Sequence, residues 1–249
     1  MPDVYLMRKV LPLLACCALL AACGGGSTLT GPSKTPTLSR TRFLAFGDSI
    51  TAGEVTTPLG ASGPSSLSTK LVVLPTASYP SQLVSMLQAR YPAQASAVVV
   101  TNMGVPGETV LEGEVRFPAA MISSRAEAVL LMEGVVGLPV AGPDQSTDVV
   151  QRMVQVAKVH GARVFVGSMV PTIEGRQRSA SSAALVAYNL KLQQMARDEG
   201  AVFVDLYNAL LPEASTVIGI DGLHPTEVGY KRIADIFFAA IQANLEVKP

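Results

Sequence analysis

Five short runs of almost unbroken apolar residues set the strongest constraint on this chain. They cover residues 43–46, 97–101, 128–132, 163–166 and 201–204. Half-exposed strands alternate polar and apolar positions, so runs this short and this apolar suit strands covered on both faces. Between them lie longer stretches with helical apolar spacing, over 80–90, 116–125, 147–160, 179–199 and 226–244. Gly161 and Gly200 follow the third and fourth of these, where a helix ends on a left-handed residue. Alternating strand and helix predicts an α/β fold, a three-layer α/β/α sandwich around a mostly parallel five-stranded sheet. Such sheets bind ligands beyond the carboxyl ends of their strands.

Composition narrows the function classes. Of the 249 residues, 49% are hydrophobic and 15% charged, so the chain has the apolar content for a packed core. Nineteen basic residues balance nineteen acidic ones, and no basic stripe suited to a phosphate backbone stands out, so no nucleic acid is expected as a partner. Three Cys and two His leave almost nothing for a metal cage, and no cofactor is expected. The segment between Gly53 and Tyr79 is long for a connection and contains the apolar residues 71–74. It is expected to be a loop that borders the site mouth and helps shape an acyl pocket, residues 62–68 included; a mobile surface excursion is the alternative.

At the N-terminus, Arg8 and Lys9 precede an apolar stretch over 10–22. That is too short for the roughly 30 Å of a bilayer core, and it suits the centre of a signal peptide. It closes with Leu20-Ala21-Ala22-Cys23, which resembles the bacterial lipobox. The resemblance implies a lipoprotein signal peptide over 1–22, cleavage before Cys23 and acyl chains on its thiol. With Gly24 rather than Asp following, it implies the outer membrane, facing the periplasm or the cell surface. An ordinary secretory signal is the alternative. Cys16 and Cys17 fall in the removed segment, so no disulfide is expected. Residues 24–41 are rich in Gly, Ser, Thr and Pro and read as a tether, so that 23–41 joins the anchor to a domain over 42–249.

The chemistry-bearing residues sit at the two ends of that domain. The first apolar run leads straight into Gly47-Asp48-Ser49-Ile50. A serine hydroxyl is a weak nucleophile and needs a base, itself oriented by a third group. Of the two histidines, His160 closes a predicted helix, where a structural role is expected. By elimination the base is His224, in Asp221-Gly222-Leu223-His224-Pro225-Thr226, with Asp221 three residues away to orient it. The competing reading makes Ser49 a helix cap and Asp221/His224 a structural turn.

Gly47-Asp48-Ser49-Ile50, then Asn102-Met103-Gly104-Val105-Pro106-Gly107-Glu108-Thr109, then Asp221-x-x-His224, in that order, resemble the blocks of the GDSL, or SGNH, hydrolase superfamily. The resemblance implies a serine ester hydrolase with Ser49 as nucleophile, His224 as base and Asp221 as its orienting acid. The backbone N–H groups of Ser49 and Gly107 would form the oxyanion hole. It further implies an ester partner, a small molecule or one borne on a polymer. The family's Gly-x-Asn-Asp block is broken here: aligned on Gly134, Val136 stands at the Asn position and Gly137 at the Asp position. Asn102 is expected to brace local backbone, and Glu133 to belong to a buried network near the strand end. Losing one oxyanion donor costs about 2.7–4 kcal/mol, or roughly 10²–10³ in turnover. Three outcomes stay open: a slowed esterase, one restored by another donor, or a ligand-binding lipoprotein on the same scaffold.

Overall fold

A computed structural model describes residues 35–58 and 69–249. The expected signal segment, Cys23, most of the tether and residues 62–68 lie outside the described residues. In chain order the elements are β1 (Thr37–Leu38), β2 (Arg42–Gly47), α1 (Ser49–Ala52), β3 (Glu54–Pro58) and β4 (Thr69–Val73). Then come α2 (Tyr79–Arg90), β5 (Val99–Gly104), α3 (Val110–Ser124), β6 (Ala128–Met132) and α4 (Leu138–Val159). The chain closes with β7 (Arg163–Gly167), α5 (Ser182–Asp198), β8 (Val202–Val204), α6 (Leu206–Leu210), α7 (Ala214–Val217), α8 (Glu227–Leu245) and β9 (Glu246–Val247).

The five apolar runs become one sheet in the order β5-β2-β6-β7-β8, parallel throughout. Every residue of β6 is buried, and so is every residue of β2 after Arg42. That is what unbroken apolar runs require when helices cover both faces. The chain adds β5 on one side of β2 and then β6, β7 and β8 on the other. The order reverses between β2 and β6, and the carboxyl ends of these strands therefore border a crevice.

Local chemistry moves several boundaries. Helix α3 starts at Val110 rather than 116, because Thr109 and Glu112 form a reciprocal capping box. Helix α4 starts at Leu138 rather than 147 and bends at Gly142, whose φ of 71° precedes Pro143. Helix α5 starts only at Ser182, where Ser181 accepts from the Ala184 amide. Strand β5 begins at Val99, two residues later than expected, since Ala97 and Val98 still bond back to Gln94.

Two expectations are corrected. Much of the excursion after Gly53 is regular: β3 and β4 pair antiparallel from Glu54↔Val73 to Pro58↔Thr69, and only a turn over 74–78 separates β4 from α2. Val and Thr residues supply the strand propensity, and Val55 reaches the core. The folded domain also begins before Arg42. Thr37 and Leu38 pair with Val247 and Glu246, Leu38 is buried, and the Gln94 amide brackets its backbone N–H and C=O. An apolar side chain with both backbone groups satisfied is held as structure, not as tether.

Candidate active site

Ser49 owes its position to two missing side chains. A Cβ on Gly47 would lie 2.0 Å from the Met132 carbonyl oxygen and 2.4 Å from Thr51 Oγ1. A Cβ on Gly104 would lie 2.1 Å from the Ala52 nitrogen. Glycine at both strand ends lets α1 fold down onto the carboxyl edge of the sheet. Asp48 caps that turn, its Oδ1 accepting from the Ile50 N–H at 3.0 Å. The cap is thus Asp48, and the Ser49 side chain is left to another partner.

That partner is His224, in the turn between α7 and α8. Asp221 Oδ1 accepts from the backbone N–H groups of Leu223 and His224, both at 3.1 Å, and fixes the turn. Its Oδ2 lies 2.6 Å from His224 Nδ1, and His224 Nε2 lies 3.0 Å from Ser49 Oγ. With Nδ1–H donating to Asp221, Nε2 accepts from the serine hydroxyl. Burial alone would raise the Asp221 carboxyl, but hydrogen bonds from the His224 ring and from the Leu223 and His224 amides hold it below its ordinary value. His160 is exposed at the end of α4 and takes no part.

Ser49 and His224 open into a cleft of about 380 Å³. Gly107 lines it with φ 76°, and a Cβ placed on it would meet nothing within 4 Å, so a reacting group can approach its backbone closely. The amide of Ser49, first in α1, has no intrahelical partner. Val135, Val136 and Pro139 form an apolar wall. Val136 is 37% exposed there and brings no side-chain donor. Asn102 is turned to nearby backbone, its Oδ1 accepting from the Gly104 N–H at 2.9 Å.

Acidic groups cluster close by. Glu108 is paired with Arg116, whose guanidinium stacks 4.0 Å over the Phe46 ring. Glu133 is buried and accepts from the Gly134 N–H at 3.1 Å. Its carboxyl is pushed well above the usual range by burial, with Asp48 and Glu108 adding repulsion. Asp48 is pushed up to about 6, chiefly by burial.

Several cleft residues belong to none of the sequence motifs, and three of them carry long polar side chains: Glu54, Gln177 and Arg178. Glu54 Oε2 lies 3.5 Å from His224 Nε2, and the Arg178 guanidinium lies 3.9 Å from Asp221 Oδ2. Glu54 directly follows the Gly47–Gly53 stretch, and that adjacency is the one signal the sequence holds for any of the three. Gln177 and Arg178 sit far from any motif, and only folding brings them here.

The fold has close counterparts among solved structures. The lipase/acylhydrolase from Enterococcus faecalis superposes with a TM-score of 0.65 at 21% identity, over 82% of this chain and 97% of that one. An acetylxylan esterase from Geobacillus stearothermophilus gives 0.62 at 23%, over 82% and 94%. An α/β hydrolase from the metagenome of Lake Arreo, Spain, gives 0.64 at 21%, over 82% and 96%. No curated protein sequence shows a significant match. Residues 45–232, spanning the serine turn and the histidine turn alike, match the family of GDSL-like lipases and acylhydrolases, and the chain belongs to that family.

Proposed function

We propose that this chain is a serine ester hydrolase acting on acyl or acetyl esters. The observation that carries the reading is the unbroken chain of contacts from Asp221 through His224 to Ser49 at the floor of an open cleft. Ser49 Oγ attacks the ester carbonyl while His224 Nε2 takes its proton, and Asp221 stabilises the imidazolium. The backbone N–H groups of Ser49 and Gly107 face the developing oxyanion. The C–O bond to the alcohol breaks as Nε2 returns the proton to the leaving oxygen. Water then attacks the acyl-serine with the same base, releasing the acid and restoring the hydroxyl. The experiment is hydrolysis of p-nitrophenyl acetate and butyrate by the wild type and by Ser49→Ala, with mass spectrometry of the fluorophosphonate-labelled protein. Labelling at Ser49 and turnover lost in Ser49→Ala support the reading; equal rates overturn it.

Val136 favours a second reading, a ligand-binding protein on an esterase scaffold, because a wall without the third donor stabilises the oxyanion less. Saturable binding of an ester with no Ser49-dependent turnover would establish that instead.

The same proposal includes export and anchoring through acyl chains on Cys23, on the strength of Leu20-Ala21-Ala22-Cys23 alone. Location at the outer membrane, facing the periplasm or the cell surface, goes with it. Metabolic labelling with a palmitate analogue, lost in Cys23→Ser, tests this part separately.

A further inference from the structure

Glu54 is a carboxylate in want of a proton donor. Its side chain is 12% exposed, and it lines the cleft beside Ser49 and His224. Among the described residues the only ion-pairing or hydrogen-bonding partner within reach of its carboxylate is His224 Nε2, at 3.5 Å. In the resting site Nε2 carries a lone pair aimed at the Ser49 hydroxyl, so the two acceptors face each other with no hydrogen between them. Glu54 is nonetheless held in place: its backbone carbonyl accepts from the Tyr230 hydroxyl at 2.5 Å, and its residue pairs with Val73 across the hairpin.

The geometry fixes which part of an ester would meet it. In a serine hydrolase the leaving oxygen takes its proton from the base, so the alcohol half of the ester lies against Nε2. A carboxylate 3.5 Å from Nε2 therefore borders the alcohol half rather than the acyl half. We infer that Glu54 selects esters whose alcohol carries a second hydroxyl next to the ester oxygen, as in glycerol and sugar esters. That hydroxyl donates to the Glu54 carboxylate while Nε2–H is delivered to the leaving oxygen. This rests on the esterase reading above and names its leaving-group class. No extra bond is made or broken: Glu54 only accepts a hydrogen bond, and the alcohol departs with the proton from His224.

The test compares 2-hydroxyethyl acetate with ethyl acetate, which differ by that one hydroxyl. A charge-assisted hydrogen bond to substrate is worth about ten- to a hundred-fold in kcat/KM. The wild type should prefer 2-hydroxyethyl acetate by about that factor. Glu54→Ala should abolish the preference, read within the variant as the ratio of 2-hydroxyethyl acetate to ethyl acetate, with p-nitrophenyl acetate measured alongside. Glu54→Gln, which keeps a neutral acceptor, should retain part of it. No preference in the wild type overturns the inference. So does a Glu54→Ala that slows all three substrates alike, since that would make Glu54 a positioning group acting through His224. Turnover of p-nitrophenyl acetate that is independent of Ser49 would overturn the esterase reading itself, and this inference with it; Ser49-dependent turnover without the preference overturns this inference alone.

Discussion

Ser49 Oγ and His224 Nε2 stand 3.0 Å apart although 175 positions separate them in the chain. Strand β2 delivers the first to the carboxyl edge of the sheet, and the turn ahead of α8 delivers the second. The Gly219 N–H bonds to the His224 carbonyl at 2.7 Å and Thr226 caps α8, so the imidazole is held from both sides of its own turn.

If that contact is the working one, the triad should fail as a unit. Ser49→Ala is expected to lower kcat on p-nitrophenyl butyrate by at least about 10³-fold, and Asp221→Asn by roughly 10⁴-fold through the wrong imidazole tautomer. Circular dichroism should show both variants folded. A folded Ser49→Ala that retains wild-type kcat would remove the serine from the mechanism.

The wall at Val136 predicts a gain. Val136→Asn puts a side-chain donor where this cleft has an apolar surface, and kcat should rise on the order of 10²-fold with KM little changed. An unchanged kcat would mean that another group already serves the oxyanion.

Asp48 predicts a pH-dependent stability. Its folded pKa of about 6 lies above that of an unfolded aspartate, mainly because burial disfavours the charge; the Ile50 amide and His224 oppose this, and Glu108 and Glu54 add to it. Between roughly pH 4 and 6 the folded chain keeps a proton that the unfolded chain has lost, so this group's contribution to stability falls as pH rises and levels off above. Asp48→Asn has no such slope. The Tm of Asp48→Asn minus that of the wild type should therefore increase from about pH 4 to about pH 6.5 and then stay level. A difference that is flat across that range would contradict the assignment.

Gly47→Ala tests the close approach that seats Ser49. Its methyl would overlap the Met132 carbonyl oxygen, and backbone at that position cannot yield cheaply. Urea titration should show a loss of about 3 kcal/mol or more. A variant as stable as the wild type would mean that β2 and β6 can part without cost.

Much of this is legible in the chain itself, for reasons that differ element by element. Strand β6 matches its apolar run residue for residue, because a strand buried on both faces leaves no polar position to blur its ends. Helix α3 begins six residues before its apolar spacing does, because its first turn is specified by a capping box instead. The hairpin β3–β4 offers only the Val and Thr propensity of its strands as a local signal, and the pairing itself spans an intervening segment. Leu38 is hidden for a like reason: its partners, Gln94 and Glu246, are distant in the chain.

The apolar runs, the helical periodicity and the ordered motif blocks determined the α/β class and singled out Ser49, Asp221 and His224, since each of those signals is local. Tertiary structure decided what surrounds them: Glu54 facing Nε2, Val136 on the cleft wall, and Asp48 and Glu133 buried where their charge is disfavoured. The physical reason is that burial and electrostatic environment are properties of contacts between distant segments, which no window of sequence contains.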